Sequence, residues 1–385
     1  MAKRIYLDYA ATTPVDKRVV KAMAPFVSEK FGNTMSLHSF GQEAKFALDQ
    51  SRQILAKIIN AKSNEIIFTS SATESNNLAI KGIAFNMPKG KHARHMIISS
   101  IEHPCVVEAT KWLSRGCKIT KVPVDKYGLV NPKDVEREIR PDTILVSIIH
   151  ASNEIGTIQN ISEIGKICKQ RGVYFHTDAS QSFGKIPIDV KKMNIDLLTA
   201  SSHKIYGPKG AGFLYVREGI GLVPLLHGGG QENGLRGSTV NVPAIVGFAK
   251  AAEICNKEMK SETARLSKLR DKLIKEVLKI KKSHLNGHPK NRLANNANFW
   301  FDFVEGESLV MSLDLEGIAC SSGSACSSFK LEPSEVLLAL GLKPQEAHGS
   351  LRVSLGRFTT EKEVDQLIKV LPRIVKNIRQ MSPYK

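Results

Sequence analysis

Lys204 stands in Ser201-Ser202-His203-Lys204-Ile205-Tyr206-Gly207-Pro208-Lys209-Gly210, directly after the strand-like run 196–200. Its amine can trap a carbonyl, and the hydroxyl of Ser201 and the imidazole of His203 are donors suited to a phosphate. These are the demands of an aldehyde cofactor with a phosphate arm, pyridoxal 5′-phosphate above all. A lone lysine in a basic chain would be an ordinary surface residue, but this one has companions. Asp178, in His176-Thr177-Asp178-Ala179-Ser180-Gln181, also ends an apolar run. A carboxylate there can keep a pyridine nitrogen protonated, which makes the ring an electron sink, and Gln181 can serve the ring's phenolic oxygen. Taken singly, Asp178 would read as a strand-end aspartate capping a helix.

The same arrangement recurs upstream. Ile66-Ile67-Phe68 runs into a hydroxyl-rich stretch in which Ala72 and Thr73 open a helix, whose N–H groups suit an anion. Met96-Ile97-Ile98 leads to Glu102-His103-Pro104, and the run 144–149 leads to Ser152-Asn153-Glu154. Polar groups gathered after successive apolar strands mark the edge where open α/β sheets bind ligands. Alternating β-like and helical patterns from about 50 to 215 predict a mostly parallel sheet covered by helices. Its strands are expected near 66–68, 95–99, 118–123, 143–149, 173–177, 196–200 and 212–216. Helices follow from 244 to about 280, then a smaller α+β segment with strands near 297–303, 317–320 and 350–355.

These motifs resemble those of the cysteine desulfurases, in the NifS/IscS branch of the class V aminotransferases. The resemblance rests on Glu-His-Pro at His103, Ser-Asn-Glu-Ile-Gly at Asn153, and the Asp178 and Lys204 motifs. It continues through His227-Gly228-Gly229-Gly230-Gln231-Glu232 and Gly306-Glu307-Ser308-Leu309 to Ser350-Leu351-Arg352-Val353-Ser354. It is sharpest at Ser321-Ser322-Gly323-Ser324-Ala325-Cys326-Ser327-Ser328, and it reaches back to Tyr6-Leu7-Asp8-Tyr9-Ala10-Ala11-Thr12-Thr13-Pro14.

The resemblance implies a fold-type I pyridoxal-phosphate transferase: a large domain with a seven-stranded sheet, and a smaller α+β domain. The expected bounds are 15–260 for the cofactor domain, and 1–14 with 261–385 for the small domain, which carries the cysteine loop at about 320–332. It also implies roles. Lys204 holds the cofactor and moves the Cα proton, while His103 stacks on the ring and does acid–base work. Ala72, Thr73, Ser201 and His203 form the phosphate cup, completed by Thr239 from a partner subunit, hence a homodimer. Arg352, whose fork matches a carboxylate, binds the substrate together with Asn153, which also binds the cofactor through its ring oxygen. Cys326, among small polar residues that suggest a mobile loop, is the nucleophile that takes sulfur from L-cysteine. Cys320 reads as a packed strand residue. The implied acceptors are an iron–sulfur scaffold or a tRNA-thiolation enzyme. A selenocysteine lyase and a class V aminotransferase stay open as alternatives, although a transaminase has no need of Cys326. Departures from the family pattern are Ser71 for glycine, Gly237-Ser238-Thr239 for Ser-Gly-Thr, Val240 for an acid, and Cys105 for alanine, serine or valine.

Composition narrows the classes. The 385 residues are 42% hydrophobic and 24% charged, which describes a soluble globular chain. No apolar run approaches the ~20 residues of a membrane span, and no signal-peptide core is visible, so a cytoplasmic protein is expected. Six cysteines without a C-x-x-C pair argue against a disulfide framework or structural zinc. The net charge is +18, with much of the excess between 257 and 282 on a helix-patterned stretch. That stretch reads first as a solvated face and second as a docking surface for an acidic partner, since no motif for nucleic acid accompanies it.

Overall fold

The apolar runs after residue 60 become strands because both faces of the sheet they form are covered. The computed structural model describes residues 4–86, 94–322 and 332–382. After β1 (Ile5–Tyr6) come β2 (Ile66–Thr69), β3 (His95–Ser99), β4 (Lys118–Val122), β5 (Thr143–Ser147), β6 (Tyr174–Asp178), β7 (Leu197–Ser201) and β8 (Gly212–Val216). Strands β2 to β8 form one seven-stranded sheet in the order β2-β8-β7-β6-β5-β3-β4. β8 is antiparallel to β2 and β7, and the other pairings are parallel. Successive residues serve opposite faces. Ile97, Val146, Leu198 and Phe213 pack into one cluster, while Ile98, Leu145, Leu197 and Leu214 pack into another. That two-sided burial is why the strands read as continuous apolar runs rather than alternating ones.

Register brings the chemistry to one edge. Thr69 lies opposite Gly212, Gly212 opposite Ser201, and Thr199 opposite Asp178. The carboxyl ends of β2, β3, β5, β6 and β7 therefore share an edge, and each sequence motif leaves the sheet there.

A second, antiparallel sheet joins β9 (Ser283–Asn286), β10 (Asn296–Phe301) and β12 (Ser350–Ser354) in the order β12-β10-β9. The short strand β11 (Ile318–Ala319) pairs with β1. Its core gathers Leu7, Phe299, Leu309, Leu351, Val353 and Leu371. One helix, Val242–Val277, serves both cores: Ala244, Ile245 and Phe248 pack on the large sheet, and Leu266, Leu269 and Leu273 on the small one. The backbone is thus continuous helix across the expected domain bound at 260/261.

The N-terminal arm threads between the two sheets. Leu7 N–H donates to Ala319 O at 2.8 Å, Ser354 N–H to Leu7 O at 2.8 Å, and Ala10 N–H to Ser354 Oγ at 2.8 Å. Thr13 then docks on the end of β7, its N–H reaching His203 O at 3.0 Å.

Candidate active site

The helix Ala72–Phe85 starts two residues beyond β2, with Ser71 as its N-cap. Ser71 Oγ accepts the Glu74 N–H at 3.2 Å, so the serine that departs from the family glycine has a definite task. The first-turn N–H groups, those of Ala72 and Thr73 among them, have no acceptor within their own helix. His103 caps the next helix, Pro104–Leu113, directly beyond β3. Half-buried, it is held below its usual pKa by desolvation, opposed by the nearby Asp178 carboxylate and reinforced by Lys204.

Asp178 ends β6 and is 3% exposed. A buried carboxylate needs compensating donors. It finds them in Asn76 Nδ2 at 2.7 Å, Ser180 N–H at 2.8 Å and Ser180 Oγ at 2.5 Å. Gln181 is buried too, its Nε2 donating to Ala10 O at 2.9 Å and its Oε1 accepting Lys185 Nζ at 3.1 Å.

Lys204 sits in the 3₁₀ turn that follows β7. Its Nζ donates to Ala10 O and Ala11 O, both at 2.7 Å. The arm therefore positions the amine, which the local motif could not reveal. His203 Nδ1 lies 3.1 Å from Thr12 Oγ1, and desolvation, helped by the Lys204 charge, pushes this imidazole down to about 4. Tyr206 holds φ +67°, a strained value for a bulky residue. Thr13 Oγ1 on its N–H at 2.8 Å and Arg357 N–H on its hydroxyl at 2.6 Å pin it there. Gly207 is obligatory beside it, since a Cβ would stand 2.1 Å from Ser202 Oγ.

Arg352, on β12, is 2% exposed. Its Nη2 pairs with Asp8 Oδ1 at 2.9 Å and its Nη1 donates to Asn153 O at 3.2 Å, while Nε is buried without a protein partner. Asn153 thus meets Arg352 through its carbonyl. The backbone of Arg352 pairs with that of Ser321, at 2.7 and 3.2 Å, so the first residue of the cysteine motif lies against β12. Cys326 itself lies outside the described residues. Cys320 is 8% exposed in the small core, where burial raises its thiol pKa.

Thr239 is exposed on the segment before the long helix. That segment is fixed by two ion pairs: Arg236 Nε to Glu74 Oε1 at 2.6 Å, and Arg52 Nη2 to Glu232 Oε1 at 2.7 Å. Sequence reading had assigned no role to Asp8, Asn76 or Arg236. Each acts on a partner more than a hundred residues away, and no local pattern announces such pairs.

The residues fit pyridoxal 5′-phosphate. An amine, a buried ionisable carboxylate and an imidazole occupy one edge, and a helix start and the Ser201 and His203 turn lie along it. Ser202 Oγ and Arg352 Nε are buried polar atoms still without partners. A cavity of about 990 Å³ is lined by Thr73, His103 and Cys105 and reaches Trp112. Fold and site together define a lysine-based α/β transferase.

The aminotransferase class-V family model matches residues 5–367. Over 383 residues the chain is 53% identical to the cysteine desulfurase IscS of Methanosarcina thermophila, covering 99% of this chain and 94% of that one. A NifS-like protein of known structure superposes with a TM-score of 0.91 at 39% identity, covering 97% and 100% of the two chains. The structure of SspA in complex with cysteine gives 0.82 at 41% identity, covering 93% and 100%. The chain belongs to the class-V aminotransferase family, in its NifS/IscS cysteine desulfurase branch.

Proposed function

We propose that this chain converts L-cysteine to L-alanine and carries the released sulfur as a persulfide on Cys326. The observation that carries this reading is the convergence of Lys204, Asp178 and His103 on one sheet edge, which Arg352 reaches from β12 through Asn153 O, with Ser321 paired to the Arg352 backbone. Ala72, Thr73, Ser201 and His203 would hold the phosphate of pyridoxal 5′-phosphate, Asp178 its ring nitrogen, and Lys204 its aldehyde carbon. When bound, the cofactor supplies the electron sink that loosens bonds at the amino acid's α-carbon.

The chain's own groups do the rest. Arg352 receives the substrate carboxylate, exchanging Asp8 for it, and so orients the amino acid. Lys204 Nζ moves the Cα proton, and His103, its pKa lowered by burial, would stack on the bound cofactor and do acid–base work. Cys326 Sγ attacks the substrate sulfur. The S–S bond forms as the C–S bond breaks, the bonding pair stays with carbon, and the proton lost by Cys326 ends on that carbon. L-Cysteine plus thiol thus gives L-alanine plus persulfide.

Thr239, exposed and braced by Arg236, would complete the phosphate cup of a second subunit, which makes the active form a homodimer. The persulfide sulfur would pass to an iron–sulfur scaffold, a tRNA-thiolation enzyme or both, in the cytoplasm. Among the described residues no helix is long and apolar enough to cross a membrane.

Cys326→Ser tests the reading. Cofactor binding survives, because the cup does not use that side chain, while alanine release and cyanide-labile sulfur fall to background. Sulfur release at near the parent rate would overturn the mechanism.

A further inference from the structure

Two residues that the reaction scheme leaves idle join Asp178 to His103. Asn76 is fully buried, and its Nδ2 lies 2.7 Å from Asp178 Oδ2 and 3.1 Å from Cys105 Sγ. Cys105 Sγ is in turn 2.9 Å from His103 Nδ1, and that nitrogen also accepts the Cys105 backbone N–H at 3.2 Å.

The direction of every bond follows from the chemistry of the groups. A carboxylate accepts, so the Asn76 amide must present its NH₂, whose two hydrogens serve Asp178 and the sulfur. A backbone N–H can only donate, so His103 Nδ1 carries the lone pair and the ring's proton sits on Nε2. The thiol, receiving from Asn76, has its own hydrogen left for Nδ1.

We propose that Asn76 and Cys105 are positioning residues: a relay from Asp178 through the amide and the thiol fixes His103 as the neutral Nε2–H tautomer. The inference rests on the reading of His103 and Asp178 as site residues. Burial pushes the Cys105 thiol up to about 12, so the sulfur keeps the hydrogen that the relay requires. It also makes Cys105 a poor nucleophile, which suits a structural donor and not a second sulfur carrier.

The sign of the effect is determined. A donor to Nδ1 favours the neutral ring, so removing it raises the pH at which His103 protonates. Asp178 from β6 and Lys204 from the turn after β7 also face the ring, and neither is altered by changes at Cys105.

The test uses the full-length holoenzyme with ¹⁵N-labelled histidine, the His103 signals being identified by their loss in His103→Gln. In the parent, Nδ1 gives a lone-pair-type shift and Nε2 a protonated one. Cys105→Ala leaves only the 3.2 Å backbone donor on Nδ1, so the share of the Nε2–H tautomer falls and the acid limb of alanine formation moves up by about 0.7 pH unit. It lowers kcat about fivefold, with KM for L-cysteine unchanged, as loss of one net hydrogen bond implies. Cys105→Ser, whose hydroxyl both donates and accepts, restores all three. Parent-like ring shifts and acid limb in Cys105→Ala would overturn the relay, as would a serine variant that behaves like alanine. Failure of the site reading looks different: His103→Gln and Asp178→Asn would then leave alanine formation intact, whatever the ring shifts report.

Discussion

The two regions that meet at Lys204 are held in different ways. The carboxyl edge of the seven-stranded sheet is fixed by strand register and by buried donors. Thr69, Gly212, Ser201 and Asp178 are placed by ladder pairing, and Asp178 alone collects three hydrogen bonds. The N-terminal arm adds only the short strand β1, and near the site it is held by isolated hydrogen bonds rather than a ladder, among them Asp8 on Arg352, Ala10 and Ala11 on Lys204, and Thr12 on His203. The edge is preorganised by these pairings. Asp8 on the arm, by contrast, pairs with the guanidinium that the substrate carboxylate needs. In this reading the edge supplies the chemistry, and the arm sets when substrate enters.

The sharpest way to break this contrast is Asp8→Asn. Opening a buried ion pair by removing one partner costs about 3 kcal/mol at the low end, which applies here because Asn153 O stays on the guanidinium. Denaturant unfolding should show a loss of that order. Added L-alanine should then stabilise the variant more than the parent, since its carboxylate meets no competitor. Unchanged stability would mean that the arm is secured elsewhere.

The edge can be probed through Glu102, a buried acid beside His103. Burial raises its carboxyl to about 8, against hydrogen bonds from Ser99 Oγ and Ile149 N–H that favour the charged form. The folded chain therefore binds this proton more tightly than the unfolded chain, whose value is near 4.5. Stability from this group is complete below that lower value and declines as pH rises toward about 8. Glu102→Gln keeps the Oε1 acceptor and removes the titration. It should flatten the stability curve across this window and be the more stable protein at about pH 9, by at least ~1 kcal/mol. A parallel decline in both proteins would place the pH dependence in other groups.

Much of the edge was legible in the sequence, and for a physical reason. Strands covered on both faces are largely apolar, so the runs of the inner strands stood out, and the polar residues just beyond them are the site; the edge strand Lys118–Val122 is the half-exposed exception. What local patterns could not show was long-range pairing. Nothing near Arg352 indicates Asp8, 344 positions away, and nothing near Asp178 indicates Asn76. The strand Ser283–Asn286 escaped because its sequence, Ser-His-Leu-Asn, is mostly polar, and β1 because it spans two residues. Gln181 shows the limit of reading a role from a motif. Its amide already serves Ala10 and Lys185, contacts that come from the arm and the next turn.

The smallest expected effect concerns Ser71, where the chain departs from the family's glycine. Read from sequence, the serine adds a side chain near the phosphate. In the structure Ser71 has φ −168°, extended backbone that any residue adopts, and its hydroxyl turns into the helix to accept the Glu74 N–H. The side chain therefore acts on the helix start and not on the anion. Ser71→Gly should cost only a few tenths of a kcal/mol, because glycine is itself a tolerable N-cap. Cofactor affinity, followed by fluorescence as pyridoxal 5′-phosphate is added back to stripped enzyme, should stay within about twofold, well under the tenfold that 1.4 kcal/mol would give. A tenfold gain in affinity would show that the serine does crowd the phosphate. It would also mean that the edge is less completely preorganised than its register and buried donors imply.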